Sequence, residues 1–240
     1  KSSAGYDITR LLIGSEGTLA IITEATLKLH GIPKISHAVR ISFPDVVQAS
    51  LTAKNTLNCE VTIGRCELLD KEMVKLINAS NPLLPNPWPE HTTLLYEITG
   101  ISEQSVAEQT QIVADLARKN GAIDIQTATT VDECKDVWKV RKECLWSAMS
   151  QFPDKDVMIT DVCVPLSQLP ALINDTKKDI ASSESLSQCC PIVAHAGDGN
   201  FHVFILFKAD DPAEVAQAKQ LASNMALQAI ALGGTCTGEH

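Results

Sequence analysis

The segment that most constrains this chain is residues 190–207, Cys-Pro-Ile-Val-Ala-His-Ala-Gly-Asp-Gly-Asn-Phe-His-Val-Phe-Ile-Leu-Phe. Two apolar runs of strand length are joined by a glycine-rich turn, so the segment reads as an antiparallel β-hairpin. Such a hairpin brings His195 and His202, seven residues apart, close enough to share a metal ion without the one-turn spacing of a helical site. A third ligand is then required. Glu239, in Gly238-Glu239-His240 after the turn Gly233-Gly234, is the best candidate, because imidazole and carboxylate together suit zinc, manganese or iron. His240 beside it is left as a spare base. The competing reading is an ordinary Asp-Gly turn flanked by two histidines that bind nothing. A calcium loop fits worse, since Ala209 stands where the twelfth-position glutamate belongs and no helix precedes Asp198.

Residues 8–29 alternate in a strand-like manner around Gly14-Ser15-Glu16-Gly17-Thr18, a turn whose glycines let backbone N–H groups approach a bulky anionic ligand. It is not a Walker loop, and read by itself it is a tight strand connection. His30-Gly31-Ile32-Pro33 breaks the pattern, which places a domain boundary there and divides the chain into residues 1–30 and 31–240. Beyond it, strands are expected at 39–43, 61–68, 92–99, 123–128 and 157–164. Helices are expected at 44–57, 71–78, 102–120, 130–150, 166–180 and from Asp211-Pro212 to Gly233, with a capping box at Thr130-Val131-Asp132-Glu133. Strands interleaved with helices around one clear hairpin favour an α+β fold, an antiparallel sheet covered by helices, over a doubly wound parallel sheet.

Composition narrows the function. A net charge of −9 provides no basic stripe for a phosphate backbone, which argues against nucleic acid as a partner, and no apolar run reaches the length of a membrane span. Hydrophobic residues make up 45% of the chain, ample for a packed core. The eight cysteines form no Cys-x-x-Cys pair and lie mostly within apolar runs, which suits buried, reduced thiols in an intracellular compartment.

Four motifs in order, Lys-x-x-Ala-Gly-Tyr-Asp with Gly-Ser-Glu-Gly-Thr-Leu, Ile-Thr-Asp-Val-Cys-Val-Pro, His-Ala-Gly-Asp-Gly-Asn-Phe-His and Gly-Thr-Cys-Thr-Gly-Glu-His, span nearly the whole chain. In them the chain resembles the flavin-linked D-2-hydroxyacid dehydrogenases, flavoproteins of the vanillyl-alcohol-oxidase type. The resemblance implies that residues 1–30 are the tail of an FAD-binding domain and the remainder the substrate-binding cap domain. It also implies that the front of the flavin site and the stretch after His240 lie outside these 240 residues, so that they alone would hold no FAD and show no turnover. Carried over residue by residue, it makes His195, His202 and Glu239 ligands of one divalent metal, zinc or manganese, and His240 the catalytic base. Arg141 and Asn200 would contact the substrate. Gly14, Ser15, Glu16, Gly17, Thr18 and Ile22 would line FAD, with Ala20 a departure from the glycine usual there.

The activity so implied is oxidation of a short D-2-hydroxy acid to a 2-oxo acid, with cytochrome c as electron acceptor and a mitochondrial location; a homodimer is left open. A bound divalent ion would acidify the α-hydroxyl, His240 would take its proton, and the flavin would accept the hydride. Within the family, D-2-hydroxyglutarate and glycolate are alternative substrates. Outside it, a metallohydrolase or a non-catalytic metal-binding α+β module would use the same histidines and glutamate without flavin.

Overall fold

The computed structural model describes residues 3–81 and 87–237, which fall into two units, Lys1–Ile32 and Pro33–His240. The first carries one short helix, α1 (Ile8–Leu12), capped by the Asp7 side chain, followed by turns and extended chain. The strand-like alternation over residues 8–29 therefore does not become sheet: a strand needs a neighbouring backbone to bond, and none pairs with it among the described residues. Ile21, Leu29 and Ile32 are exposed.

The second unit runs β1 (Ile35–Phe43), α2 (Val46–Leu57), β2 (Ile63–Leu69), α3 (Lys71–Ser80), β3 (Thr92–Gly100), α4 (Glu103–Lys119), β4 (Asp124–Ala128), α5 (Val131–Lys142), α6 (Cys144–Gln151), β5 (Asp156–Ile159), β6 (Asp161–Cys163), α7 (Leu169–Ser182), β7 (Ile192–His195), β8 (Asn200–Phe207), α8 (Pro212–Ala231) and β9 (Thr235–Thr237). The strands form one antiparallel sheet in the order β4-β1-β3-β2-β7-β8-β6-β9, with β5 also paired to β8. The fold is the expected α+β class, an antiparallel sheet covered by helices.

The two-residue period of each strand decides which side chains share a face. Val39, Ile41, Leu68, Tyr96, Ala194, Phe201, Val203 and Ile205 point to one face, buried under Ala49 and Ala53 of α2, Val113 of α4, Leu172 and Ile173 of α7 and Leu221 and Met225 of α8. The alternate residues Leu69, Leu95, Val193, Phe204 and Leu206 point to the other face. There Met73, Val74 and Ile77 of α3 and Cys144 and Ala148 of α6 cover only one end of the sheet. Strands so covered on both faces lose their polar alternation, which is why β3 and β8 read as nearly continuous apolar runs.

Two expected elements are broken. The helix over 130–150 starts on its capping box, with Thr130 and Glu133 satisfying each other's backbone donors, but divides at Glu143 so that α6 packs onto α3. No glycine or proline marks the break; packing imposes it. The strand over 157–164 is interrupted at Thr160, whose hydroxyl accepts from Val203 N–H at 3.0 Å, releasing its carbonyl to accept from His202 Nδ1 at 3.0 Å. Between β7 and β8, Gly199 adopts φ +77 and lies so close to β6 that a Cβ would come 2.2 Å from the Val164 carbonyl oxygen. Glycine is required there both for the turn and for the approach.

Candidate functional site

On the uncovered end of the second face, side chains become polar. His195 opposes Asn200 across the β7–β8 register, and His202 follows two residues along β8 on the same side. The imidazole centroids of His195 and His202 are 5.3 Å apart with the rings nearly perpendicular. His195 Nδ1 donates to Glu67 Oε1 at 2.8 Å, and His202 Nδ1, besides the Thr160 carbonyl, lies 3.5 Å from Asp161 Oδ1. A carbonyl and a carboxylate can only accept, so each Nδ1 carries the proton and each Nε2 is the nitrogen suited to a metal. Asn200 donates to the Asp161 carboxylate and, at 3.1 Å, to the Val162 carbonyl, while Asp161 Oδ2 accepts from the Thr237 hydroxyl at 2.8 Å.

Arg141 arrives from α5. Its Nε and Nη2 both donate to Glu67 Oε2, at 2.9 and 2.7 Å, so one carboxylate bridges the arginine and His195. Its hydrogen bond raises the His195 pKa above the ordinary imidazole value, against partial burial and the Arg141 charge, which lower it. Arg141, Glu67 and His195 line a cavity of about 690 Å³ together with Trp138, Glu97 and Arg65. Arg65 is paired with Glu97 at 2.9 Å and stacked 4.7 Å over the Trp138 ring. Lys34, Lys135, Lys139 and Lys142 supply its basic margin.

Four of the residues singled out in the sequence, Arg141, His195, Asn200 and His202, are thus drawn to one end of one sheet face. Glu239 and His240 lie outside the described residues. Among the described residues no set of three or more His, Cys, Asp or Glu side chains is arranged to hold a metal ion; the two imidazoles provide two donors of the expected chemistry. Gly14, Ser15, Glu16, Gly17, Thr18 and Ile22 belong to the Lys1–Ile32 unit. There Gly14 and Gly17 adopt φ +77 and Glu16 +47, and Thr18 N–H and hydroxyl both bond the Ser15 carbonyl. A Cβ on Gly14 or Gly17 would meet nothing within 4 Å, which leaves the outer side of this turn open for the backbone to approach a ligand as large as FAD.

Glu67 was not picked out in the sequence, and Asp161 only as a member of Ile-Thr-Asp-Val-Cys-Val-Pro, with no role assigned. The available signal was charge inside an apolar strand, Cys66-Glu67-Leu68 and Thr160-Asp161-Val162, because a carboxylate in such surroundings must be paired. The cysteines, all free, offer no competing chemistry in the core: burial pushes the Cys144 and Cys190 thiols up to about 12 and Cys66 higher still. No helix among the described residues is long and apolar enough to cross a membrane.

The family described as FAD linked oxidases, C-terminal domain, matches residues 32–240. Over the whole chain, 43% of residues are identical to the mitochondrial D-lactate dehydrogenase [cytochrome] of Arabidopsis thaliana and 40% to D-lactate dehydrogenase [cytochrome] 1 of Saccharomyces cerevisiae, in each case covering 41% of the relative. Identity to glycolate oxidase subunit GlcD of Bacillus subtilis is 31%, covering 50% of it. The chain therefore spans half the length of these relatives or less. Among solved structures, an alkyldihydroxyacetonephosphate synthase superposes with a TM-score of 0.64 at 19% identity, over 98% of this chain and 46% of that one, a likeness of fold.

Proposed function

Because the chain belongs to the FAD-linked oxidases, with residues 32–240 matching their C-terminal domain, we propose that its protein oxidises a short D-2-hydroxy acid, D-lactate foremost, to the 2-oxo acid. In this reading FAD and one divalent metal, zinc or manganese, assist the reaction, electrons pass to cytochrome c, and the protein works in the mitochondrion. Residues 1–30 form the end of the FAD-binding domain, and residues 31–240 the substrate cap. The observation that carries the proposal is the convergence of Arg141, His195, Asn200 and His202 on one end of a sheet face, beside a cavity with a basic margin. The names of the relatives support the choice of substrate, acceptor and compartment.

Each residue then has a task. Arg141, held side-on by Glu67, offers its remaining guanidinium N–H groups to the substrate carboxylate, and such a contact orients the α-hydrogen. Asn200, anchored on Asp161, borders the reacting carbon. His195 and His202 hold the metal through Nε2 with Glu239 as third ligand, and His240 takes the hydroxyl proton, a step suited to an imidazole titrating near neutrality. The metal supplies Lewis acidity at the α-hydroxyl, and FAD, reached by Gly14, Ser15, Glu16, Gly17, Thr18 and Ile22, supplies the two-electron sink.

The test uses the full-length protein. Alanine at His195 or His202 removes one of three proposed protein ligands, so bound metal and turnover should both be lost while the flavin spectrum is kept. Stoichiometric metal in both variants, or a colourless wild-type protein that no D-2-hydroxy acid bleaches, overturns the reading.

A further inference from the structure

Glu67 joins a proposed metal ligand to the arginine proposed to take the substrate carboxylate. Its Oε1 accepts from His195 Nδ1 at 2.8 Å, its Oε2 accepts twice from Arg141, and its side chain is only 12% exposed. We infer that Glu67 is a positioning residue that couples metal retention to capture of the substrate carboxylate. The inference rests on the reading of His195 as a metal ligand and deepens it.

Three consequences of the geometry lead there. First, the bond to Glu67 fixes the proton of His195 on Nδ1 and the plane of the ring, leaving Nε2 as donor towards the metal; carboxylates placed behind ligating histidines act in this way. Second, the Nε and Nη2 edge of Arg141 is consumed by Glu67, so a substrate carboxylate can approach only from the Nη1 side, and Glu67 thereby sets the angle at which the acid is held. Third, Glu67 balances the guanidinium charge. Arg141 is 17% exposed, and without the carboxylate its positive charge would face the divalent cation unscreened.

Glu97 supplies an internal control. It lies on the same sheet face, lines the same cavity and pairs with an arginine, Arg65, at 2.9 Å, but bonds neither histidine. Arg65 is 51% exposed against 17% for Arg141, so Glu97 controls for loss of a cavity-lining carboxylate, and the Glu67/Arg141 double variant controls for loss of the more buried pair.

The experiment strips the full-length protein of metal with a chelator and titrates it with Mn²⁺, reading the dissociation constant directly, with circular dichroism reporting that each variant is folded. Glu67→Gln is expected to weaken Mn²⁺ about 10- to 100-fold. Glu97→Gln should stay within about twofold of wild type, the scatter expected when no ligand is touched. Removing the unbalanced charge in Glu67→Gln/Arg141→Gln should recover part of the loss, a response that mere loosening of the fold would not give. Glu67→Asp, which keeps the charge but shortens the reach, should fall between wild type and Glu67→Gln. If His195→Ala loses Mn²⁺ while Glu67→Gln binds as wild type, or if Glu97→Gln is equally impaired, the role of Glu67 is overturned and the metal site stands. If His195→Ala also binds Mn²⁺ as wild type, the metal site itself falls.

Discussion

The hairpin that carries His195 and Asn200 is seated against β6 by a close backbone approach as well as by the Asn200 side chain, and the approach can be tested by adding one methyl group. In Gly199→Ala the new Cβ would lie 2.2 Å from the Val164 carbonyl oxygen, whereas a carbon–oxygen contact needs about 3.3 Å. Either the turn or β6 must yield by about 1 Å, and overpacking of this kind costs about 1–3 kcal/mol. Holding alanine at φ +77 adds about 1–2 kcal/mol, for a total of roughly 2–5 kcal/mol. In Gly234→Ala the Cβ would lie 2.2 Å from the Cys163 carbonyl oxygen on the same strand, 2.7 Å from Val164 Cγ1 and 2.9 Å from the Ala229 carbonyl oxygen; φ there is not left-handed, so overpacking alone applies, at about 1–3 kcal/mol. At about 2–4 °C per kcal/mol for a domain of this size, Gly199→Ala should lower Tm by roughly 4–20 °C and Gly234→Ala by roughly 2–12 °C. Differential scanning calorimetry of the full-length variants reads both. A Gly199→Ala or Gly234→Ala protein melting within about 1 °C of wild type would refute the argument that β6 is clamped between these two backbones.

Two further outcomes follow from side-chain geometry. Glu214 accepts from Lys208 N–H at 2.8 Å and from Lys155 Nζ at 2.9 Å, which holds its carboxyl below the usual glutamate range. A depressed carboxylate stabilises fully above its unfolded pKa of about 4.3 and loses that contribution as pH falls through the lower folded value, so a penalty of about 3 kcal/mol for Glu214→Gln at pH 7 should shrink on acidification; equal urea midpoint differences at pH 7 and pH 3 would refute it. For the substrate, residues 156–163 carry no cation and Lys155 just before them is committed to Glu214, so a second carboxylate near β5 and β6 would meet Asp161 instead. D-Lactate should therefore exceed D-2-hydroxyglutarate in kcat/KM by about 100-fold or more; the reverse order would point to the lysines at the cavity margin and end the lactate assignment.

What the sequence revealed and what it hid divide along one physical line. The hairpin, α4, α8 and the capping box at Thr130 are written in residues close together in the chain, where period and cap chemistry act. The break at Glu143 and the interruption at Thr160 follow from partners far along the chain, α3 for the first and Val203 for the second, and neither leaves a local mark. In residues 8–29 the alternation was present, but alternation specifies a strand only when another strand is there to pair with it.

The same line passes through the site. His195, Asn200 and His202 stand within eight residues and announce themselves as a motif, because one turn must deliver all three. The groups that aim them are single carboxylates brought from elsewhere: Glu67 is 128 residues from His195 and 74 from Arg141, and Asp161 is 39 from Asn200. Glu67 appears in the sequence only as one acid inside an apolar strand, and Asp161 as the one acid of Ile-Thr-Asp-Val-Cys-Val-Pro. Burial cost requires that such an acid be paired, yet the requirement does not say with what. A motif therefore identifies the groups that can touch a metal or substrate, whereas their proton positions, approach angles and charge balance are decided by isolated residues on neighbouring strands. If so, substitution at Glu67 should weaken affinity for the metal and for the acid together, whereas within the hairpin motif each change removes one contact outright.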